Sequence, residues 1–444
     1  MSKIRLHGTS SGYVEIAPAA TASNNTLTAP STVGEIIAKD AAGAIGITSM
    51  KASNVNVGAA VTITESGIEA SGIGITCANI NGTQIGGRRN LIINGAMQIA
   101  QRGTSATSSG YVVDRFRPHW NGTDESPTQA QVTLTSAVGP YLEGHRKSLR
   151  ITNGNQTTSP AVDDYIIIET KIEAQDIASS GWNYTSTSSF ITLSFWVKSS
   201  VAQNFYGLLK TIDGTQQGFP IETGSLSADT WTKVTYKIPG ASGLQFDNNN
   251  DYGLDFRLSP YRGTSATGSV TLGQWGTFNS SLQYPDSTAT WYTTNDSTFE
   301  MTGVQLEVGD TATSFDFLGF DEELLRCQRY YCKSYNYETT PGTDTMAGAK
   351  WTRNYSSSSR TANATPNDFP TVMRATPTMT FRSIHNGNTA KWNTGGSNPD
   401  NSNTEITVNS VYDLGTRGFS SLHSGSVPAA EFFGGHYEAD AELA

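Results

Sequence analysis

The chain has 444 residues, of which 15% are charged and 10% aromatic, and a formal net charge of −10. That balance argues against sequence-independent nucleic-acid binding, which needs clustered Lys and Arg to neutralise phosphates, and against docking on anionic membranes. With no apolar run of ~18 residues and no apolar segment behind the opening MSKIRLHGTSSG, neither a spanning helix nor a secretory signal is expected.

Residues 1–88 hold no Trp, no Phe and a single Tyr, Tyr13. A segment this long without large side chains cannot fill a core at normal packing density. Yet its apolar residues alternate as strands do: Val61 and Ile63, then Ile68, Ile73, Ile75 and Ile80, with Gly, Ser, Thr and Asn between them. The run IIAKDAAGAIGITSM reads as a hairpin, strands 35–39 and 44–48 around a turn at Asp40–Gly43. Two readings stand side by side: a β-rich stalk whose missing cover comes from other copies of the chain, and an Ala/Ser-rich linker.

Gly86-Gly87 and Arg88-Arg89 break that pattern, and a different composition begins. Strand candidates follow at 111–120, 165–172, 190–198, 231–238, 252–258, 270–275 and 299–308, separated by Gly, Asn, Ser and Asp. Many short aromatic-rich strands with turn signals between them predict a β-sandwich or jelly roll over 89–319. A short amphipathic helix is predicted within FDEELLRCQRYYCKSY, 320–335. Asp321 would cap it, Glu322 and Glu323 suit its first turn, and Arg326 and Arg329 suit its end. Leu324, Cys327 or Gln328, and Tyr331 would share its buried face. Residues 336–444 are again β-like, and Pro366, Pro370 and Pro377 restrict their stretch to edge-type strands. The fold class expected is therefore all-β.

Catalytic signals are weak. Gly8-Thr9-Ser10-Ser11-Gly12 matches G-x-S-x-G but lacks the preceding buried strand and following helix of a nucleophile elbow. Asp163 and Asp164 are adjacent, so on a strand they point to opposite faces. The six histidines form no HxH or HExxH pair, and Cys77, Cys327 and Cys332 read as small apolar residues of a reduced chain. In FDNNNDYGLDF, Asp247, Asn249 and Asp251 repeat the opening of a calcium loop, but Gly253 comes one place late and Leu258 replaces the bidentate Glu. Calcium is thus the one cofactor considered, and an Asn-rich turn is the alternative.

Aromatic residues carry the functional hint. In ITLSFWVKSS, Ile191, Leu193, Phe195 and Val197 share one strand face and Trp196 takes the other. An outward Trp196 would offer a flat platform for a sugar ring, or else would lie under a loop or in a subunit contact. Trp275, Trp291 and Tyr292, in Gly/Ser/Thr-rich stretches, are the other glycan-binding candidates.

NLIINGAMQIAQRGTSATSSGYVVDRF, SFWVKSS, WTKVTY and FEMTGVQLEVGDTATSFDFLGFDEELLRCQRYY, in this order over roughly 90–332, resemble a family of bacteriophage tail-fibre and related virion proteins. TVMRATPTMTF and FFGGHYEADAEL resemble the distal part of that family, and the front of the chain resembles its anchoring and stalk regions. The resemblance implies a homotrimer made in bacterial cytoplasm and built into the virion. The N-terminus would anchor on a tail or baseplate protein. A central jelly roll would resemble carbohydrate-binding modules, and the C-terminal β domain at 336–444 would form an exposed tip. It also implies a structural calcium where first and last strands meet, around Asn90–Gln98 and Gln305–Glu307, with Glu307 as a ligand. The expected function is recognition of a host surface glycan. A purely structural virion fibre and a glycan depolymerase are the rivals, and no catalytic residue is expected.

Overall fold

The computed structural model describes residues 4–7, 13–16, 79–80, 83–84, 89–156, 159–356, 358, 360–396 and 404–443. The chain divides into two compact units, Met1–Ile75 and Thr76–Ala444. In the first, β1 (Ile4–His7) and β2 (Tyr13–Ile16) pair antiparallel, with Ile4 opposite Ile16. The expected hairpin at 35–48, Cys77 and the G-x-S-x-G run all lie outside the described residues. Among the described residues no helix is long and apolar enough to cross a membrane.

The second unit opens with the short pair β3 (Asn79–Ile80) and β4 (Thr83–Gln84). A β-sandwich of jelly-roll type follows. Its strands are β5 (Ser105–Ala106), β6 (Arg117–Asn121), β7 (Thr128–Thr133), β8 (Lys147–Thr152), β9 (Tyr165–Glu173), β10 (Phe190–Ser199), β11 (Asn204–Thr211), β12 (Gln217–Ser225), β13 (Thr232–Pro239), β14 (Tyr252–Arg262), β15 (Gly276–Thr277) and β16 (Thr298–Val308). They form two six-stranded sheets, ordered β13-β10-β16-β8-β7-β5 and β15-β12-β11-β14-β9-β6. The short helices α1 (Gly139–Leu142), α2 (Ala174–Ala178) and α3 (Thr290–Thr293) lie in its connections.

The expected alternation in β10 is present: Ile191, Leu193, Phe195 and Val197 are fully buried. They meet Leu254, Phe256 and Leu258 of the opposite sheet in one core, where the Phe195 and Phe256 rings lie 5.6 Å apart. Burying such side chains supplies the main driving force for the sandwich, about 1.5–3 kcal/mol each. A bulge interrupts β10–β16 pairing between Ser194 and Trp196. Across from it Gly303 has φ +63°, a conformation glycine adopts without a Cβ penalty.

Two expected strands are shortened. Of 111–120 only Arg117–Asn121 is strand; Val112–Phe116 are buried as a turn, with Arg115 at φ 71°. Residues 270–275 form a loop, and pairing begins at Gly276 and Thr277 against β12. The helix is also shorter: α4 runs Phe320–Gln328 and Tyr331–Lys333 then form β17. Its N-cap is Gly319, not Asp321, and Glu323 accepts a bond from the backbone N–H of Asn94 at 2.7 Å. Tyr331 is therefore a strand residue, opposite Asp440.

Beyond β17 the chain adds β18 (Lys350–Arg353), β19 (Arg360–Asp368), β20 (Thr378–Arg382), β21 (Lys391–Thr394), β22 (Thr404–Tyr412), β23 (Gly418–Val427) and β24 (Phe432–Asp440). β24 is the hub, paired with β17, β18, β20 and β21. The Gly434-Gly435 pair lies inside it. A Cβ at 434 would sit 2.2 Å from the Lys350 carbonyl oxygen and one at 435 2.3 Å from Trp392, so only glycine lets the strands cross here. Pro366 falls at a register shift of the edge strand β19.

The sandwich and the C-terminal sheet share a buried joint. Arg115 (side chain 3% exposed) pairs with Glu442 (6%), donates to the Lys171 carbonyl at 2.7 Å and stacks 3.5 Å over the Tyr330 ring. Arg102 reaches Asp440 at 3.2 Å, Glu442 at 3.3 Å and Asp114 at 3.6 Å. Arg329 donates to both carboxylate oxygens of Glu173, each at 2.8 Å. The Val112–Phe116 segment leaves the strand pattern because Asp114 and Arg115 are recruited into this joint.

Candidate functional site

In β9, β11 and β14 the residues Ile168, Leu209 and Phe256 point into the core, so their neighbours point outward. Strand pairing then lays these outward residues in rows. Arg117 is opposite Glu169, Glu169 opposite Arg257, and Arg257 opposite Leu208. In the next row Lys171 is opposite Asp255, Asp255 opposite Lys210, and Lys210 opposite Gly218. A ladder of charges thus crosses the outer face of this sheet.

Its carboxylates are tightly held. Glu169 meets Arg117 at 3.0 Å, His119 at 3.5 Å, Arg257 at 3.7 Å and Lys171 at 3.8 Å. Burial alone would raise its pKa, but its contact with His119 and the Lys171 and Arg257 charges hold it well below the usual carboxylate range. Asp255, fully buried, takes a 2.6 Å bond from Arg257, and burial still pushes its pKa up. Lys210 meets no carboxylate at ion-pair distance among the described residues. Its ammonium lies 4.2 Å from the Phe278 ring centroid, and burial, reinforced by Arg257, lowers its pKa.

Beyond Lys210 the face opens into a cleft of about 330 Å³. Trp275, Phe278, Leu208 and Pro220 supply its apolar surface, and Gln274 and Asn279 are among its polar groups. Trp275 is held in one orientation: its indole N–H donates to the Pro239 carbonyl at 2.7 Å, and its ring packs on Phe219 at 5.2 Å. A half-buried tryptophan fixed beside amide side chains can stack on a sugar ring while the amides bond its hydroxyls.

Of the four expected aromatic platforms, only Trp275 lies in this cleft. Trp291 is fully buried and Tyr292 2% exposed, which removes both as binding surfaces. Trp291 donates to the Thr298 carbonyl at 3.0 Å and packs on Phe299, while Tyr292 stacks on Tyr261 at 4.3 Å. These rings are in α3, which folds back onto the sandwich core. Trp196 does point away from the core, but α1 covers it: Gly139 packs on its ring, and its indole N–H donates to Glu143 at 3.0 Å. It is half-buried, like Trp275, and one side of its ring is seated against α1.

The expected calcium ligands are not brought together; among the described residues no group of three or more His, Cys, Asp or Glu could hold a metal ion. The carbonyls of Asn249 and Asp251 accept the backbone N–H groups of Gln175 and Ala174 at 2.9 and 2.7 Å, so this loop caps α2. Asp247 accepts from Gln245, and Asp251 lies 3.5 Å from Arg374. Glu307 sits elsewhere, 1% exposed in β16, its oxygens filled by Thr313 and Gln305 at 2.6–2.9 Å. Asn90 lies in a non-strand segment and is held against β16, its side chain accepting from the Leu306 N–H and donating to the Val304 carbonyl.

Sequence reasoning missed Lys210, Asp255, Arg257 and Glu169. Their signal was charge alternating with apolar residues in YIIIETKIE, LDFRL and LLK. Nothing in one strand shows that three such strands lie side by side.

No protein-family model and no curated protein sequence matches the chain. Solved structures similar to it include the enzymatically active domain of bacteriophage CBA120 tailspike protein 4, at 11% identity and TM-score 0.25, covering 49% of this chain and 21% of that one. This chain therefore spans about a fifth of the tailspike domain. Another is the N-terminal cellulose-binding domain of a Cellulomonas fimi β-1,4-glucanase, at 9% identity and TM-score 0.23, covering 48% and 99%. A third is a xylan-binding domain, CBM22-1, from Paenibacillus barcinonensis, at 10% identity and TM-score 0.24, covering 51% and 100%. At these identities and scores the likenesses assign this chain neither a family nor a ligand.

Proposed function

We propose that this chain is a bacteriophage virion protein, a homotrimeric tail fibre that binds a host cell-surface glycan by its jelly roll. The observation that carries the binding part is the cleft beside the charged sheet face, with Trp275 pinned at its wall. In this reading the chain acts by binding and not by catalysis. Trp275→Ala tests it. Stacking on an aromatic ring is a main source of affinity at such sites, so the variant should lose binding to purified host surface polysaccharide per folded molecule, beyond the loss of stability that follows from its lost packing on Phe219 and bond to Pro239. Unchanged binding by the folded variant would remove the cleft as the site.

Self-association has separate support. Arg89 enters the sandwich against Asp316 at 3.4 Å, one residue from Phe317. Phe317, Phe320, Leu325 and Leu142 are 41%, 47%, 46% and 76% exposed, and Gly144, two residues past Leu142, packs against Phe317. An exposed apolar patch marks an interaction surface. A second copy is the occupant that fits, since the preceding 88 residues lack the large side chains of a self-contained core. Phe317→Asp with Leu142→Asp should weaken association in sedimentation, and an unchanged oligomer would discard this surface. Attachment to the tail through the N-terminus belongs to the same reading, and labelled antibody against residues 1–16 on intact particles would locate it.

A further inference from the structure

Six ionisable side chains form the ladder on the outer sheet face: Arg117, Lys171, Lys210 and Arg257 against Glu169 and Asp255. Cations outnumber carboxylates there, on a protein whose overall formal charge is −10. Both carboxylates already lie against Arg257, at 2.6 and 3.7 Å, and Glu169 also has Arg117 and Lys171. The surplus charge therefore sits at Lys210, whose ammonium has the Phe278 ring 4.2 Å away and no carboxylate at ion-pair distance among the described residues, since Asp255 opposite it is taken by Arg257. Phe278 lines the same cleft as Trp275.

The geometry points to a saccharide bearing a carboxylate as the ligand of this cleft, its ring on Trp275 and its carboxylate on the Lys210 ammonium. The inference rests on the glycan-binding reading and names the class of sugar. Three physical considerations converge on it. A half-buried ammonium whose nearest carboxylates, Asp255 and Glu169, are already engaged by Arg257 is poorly compensated, and an arriving carboxylate would supply a closer partner. A charge-assisted hydrogen bond is worth roughly twice a neutral one, so a neutral sugar would leave this position poorly used. A polyanion approaching an acidic protein is repelled over most of its surface and is drawn to the local basic face. The depressed pKa of Lys210 fits the same picture, because a bound carboxylate would restore its proton affinity.

The test uses the full chain and four acidic polysaccharides (polygalacturonate, alginate, hyaluronan and polysialic acid), each beside its carboxyl-reduced neutral form. Calorimetry or biolayer interferometry reads affinity at low and high salt. At least one acidic polymer should bind roughly ten- to a hundred-fold tighter than its reduced form, with the preference shrinking as salt rises. Lys210→Gln should abolish that preference and Lys210→Arg should keep it, both with unchanged melting. Trp275→Ala should weaken acidic and neutral forms alike. Equal binding of acidic and reduced forms, or a preference untouched by Lys210→Gln, overturns the inference and leaves the glycan-binding reading standing. Binding of none of the eight polymers counts against both.

Discussion

Glu442→Gln should loosen the C-terminal sheet from the sandwich. Glu442 is 6% exposed and pairs with Arg115, itself 3% exposed, and with Arg102 at 3.3 Å. Removing one member of a buried pair costs ~3–5 kcal/mol, because the other charge is left without its partner in a poorly solvated place. Here the lower end applies. Arg115 keeps the Lys171 carbonyl and the Tyr330 ring, and Arg102 keeps Asp440 and Asp114. We expect a loss of about 3 kcal/mol, which moves a urea midpoint down by about 1 M for an m-value near 3 kcal/mol/M. Asp440→Asn is the internal comparison. Asp440 touches the same Arg102 at 3.2 Å but is 44% exposed, so water takes over much of its role and the loss should stay below ~1 kcal/mol. Urea titrations of both variants followed by tryptophan fluorescence provide the measurement. Equal midpoint shifts for the two, or none for Glu442→Gln, would refute the claim that burial makes this ion pair matter.

Trp291→Ala should cost about 3–5 kcal/mol of stability, through the cavity left in the core, yet leave glycan affinity per folded molecule unchanged; urea unfolding with a binding assay separates the two. Gly95→Ala places a Cβ 2.0 Å from the Val304 carbonyl oxygen, where Val304 N–H donates to Gly95 at 2.9 Å. It should destabilise by at least about 1–3 kcal/mol in the same titration, since the clash is with backbone that cannot step aside. His145, buried beside Phe315 and Phe317, has its pKa pushed down from 6.5 to about 4 by that burial. The unfolded chain therefore binds a proton in this window that the fold does not. Stability should be full above pH 6.5 and fall as pH drops toward 4. Melting curves across this range should slope less steeply for His145→Gln than for the native chain.

Most of the architecture was legible in the chain before folding was considered. Period-two alternation in FITLSFWVK placed Ile191, Leu193, Phe195 and Val197 in a core, and it read correctly because a strand's geometry alone decides which residues share a face. Turn chemistry between short aromatic-rich runs read correctly as a jelly roll for the same local reason. Where local pattern and distant partners conflicted, the partners prevailed. YVVDRF has strand composition, but Asp114 and Arg115 are drawn into the ion-pair joint with Arg102 and Glu442, and the backbone turns to deliver them. Asp247, Asn249 and Asp251 have calcium-loop spacing, but their backbone caps α2 instead.

What the residues determined by themselves was alternation, punctuation and charge: an all-β chain with a thin opening segment and an aromatic-rich centre. Tertiary structure alone decided which tryptophans see solvent. Burial depends on what folds back from elsewhere in the chain, α3 onto the core for Trp291 and α1 onto Trp196, and no strand carries that information in its own sequence. The ladder from Arg117 to Lys210 arose in the same way, since strand register joins residues far apart along the chain into one surface with one electrostatic character.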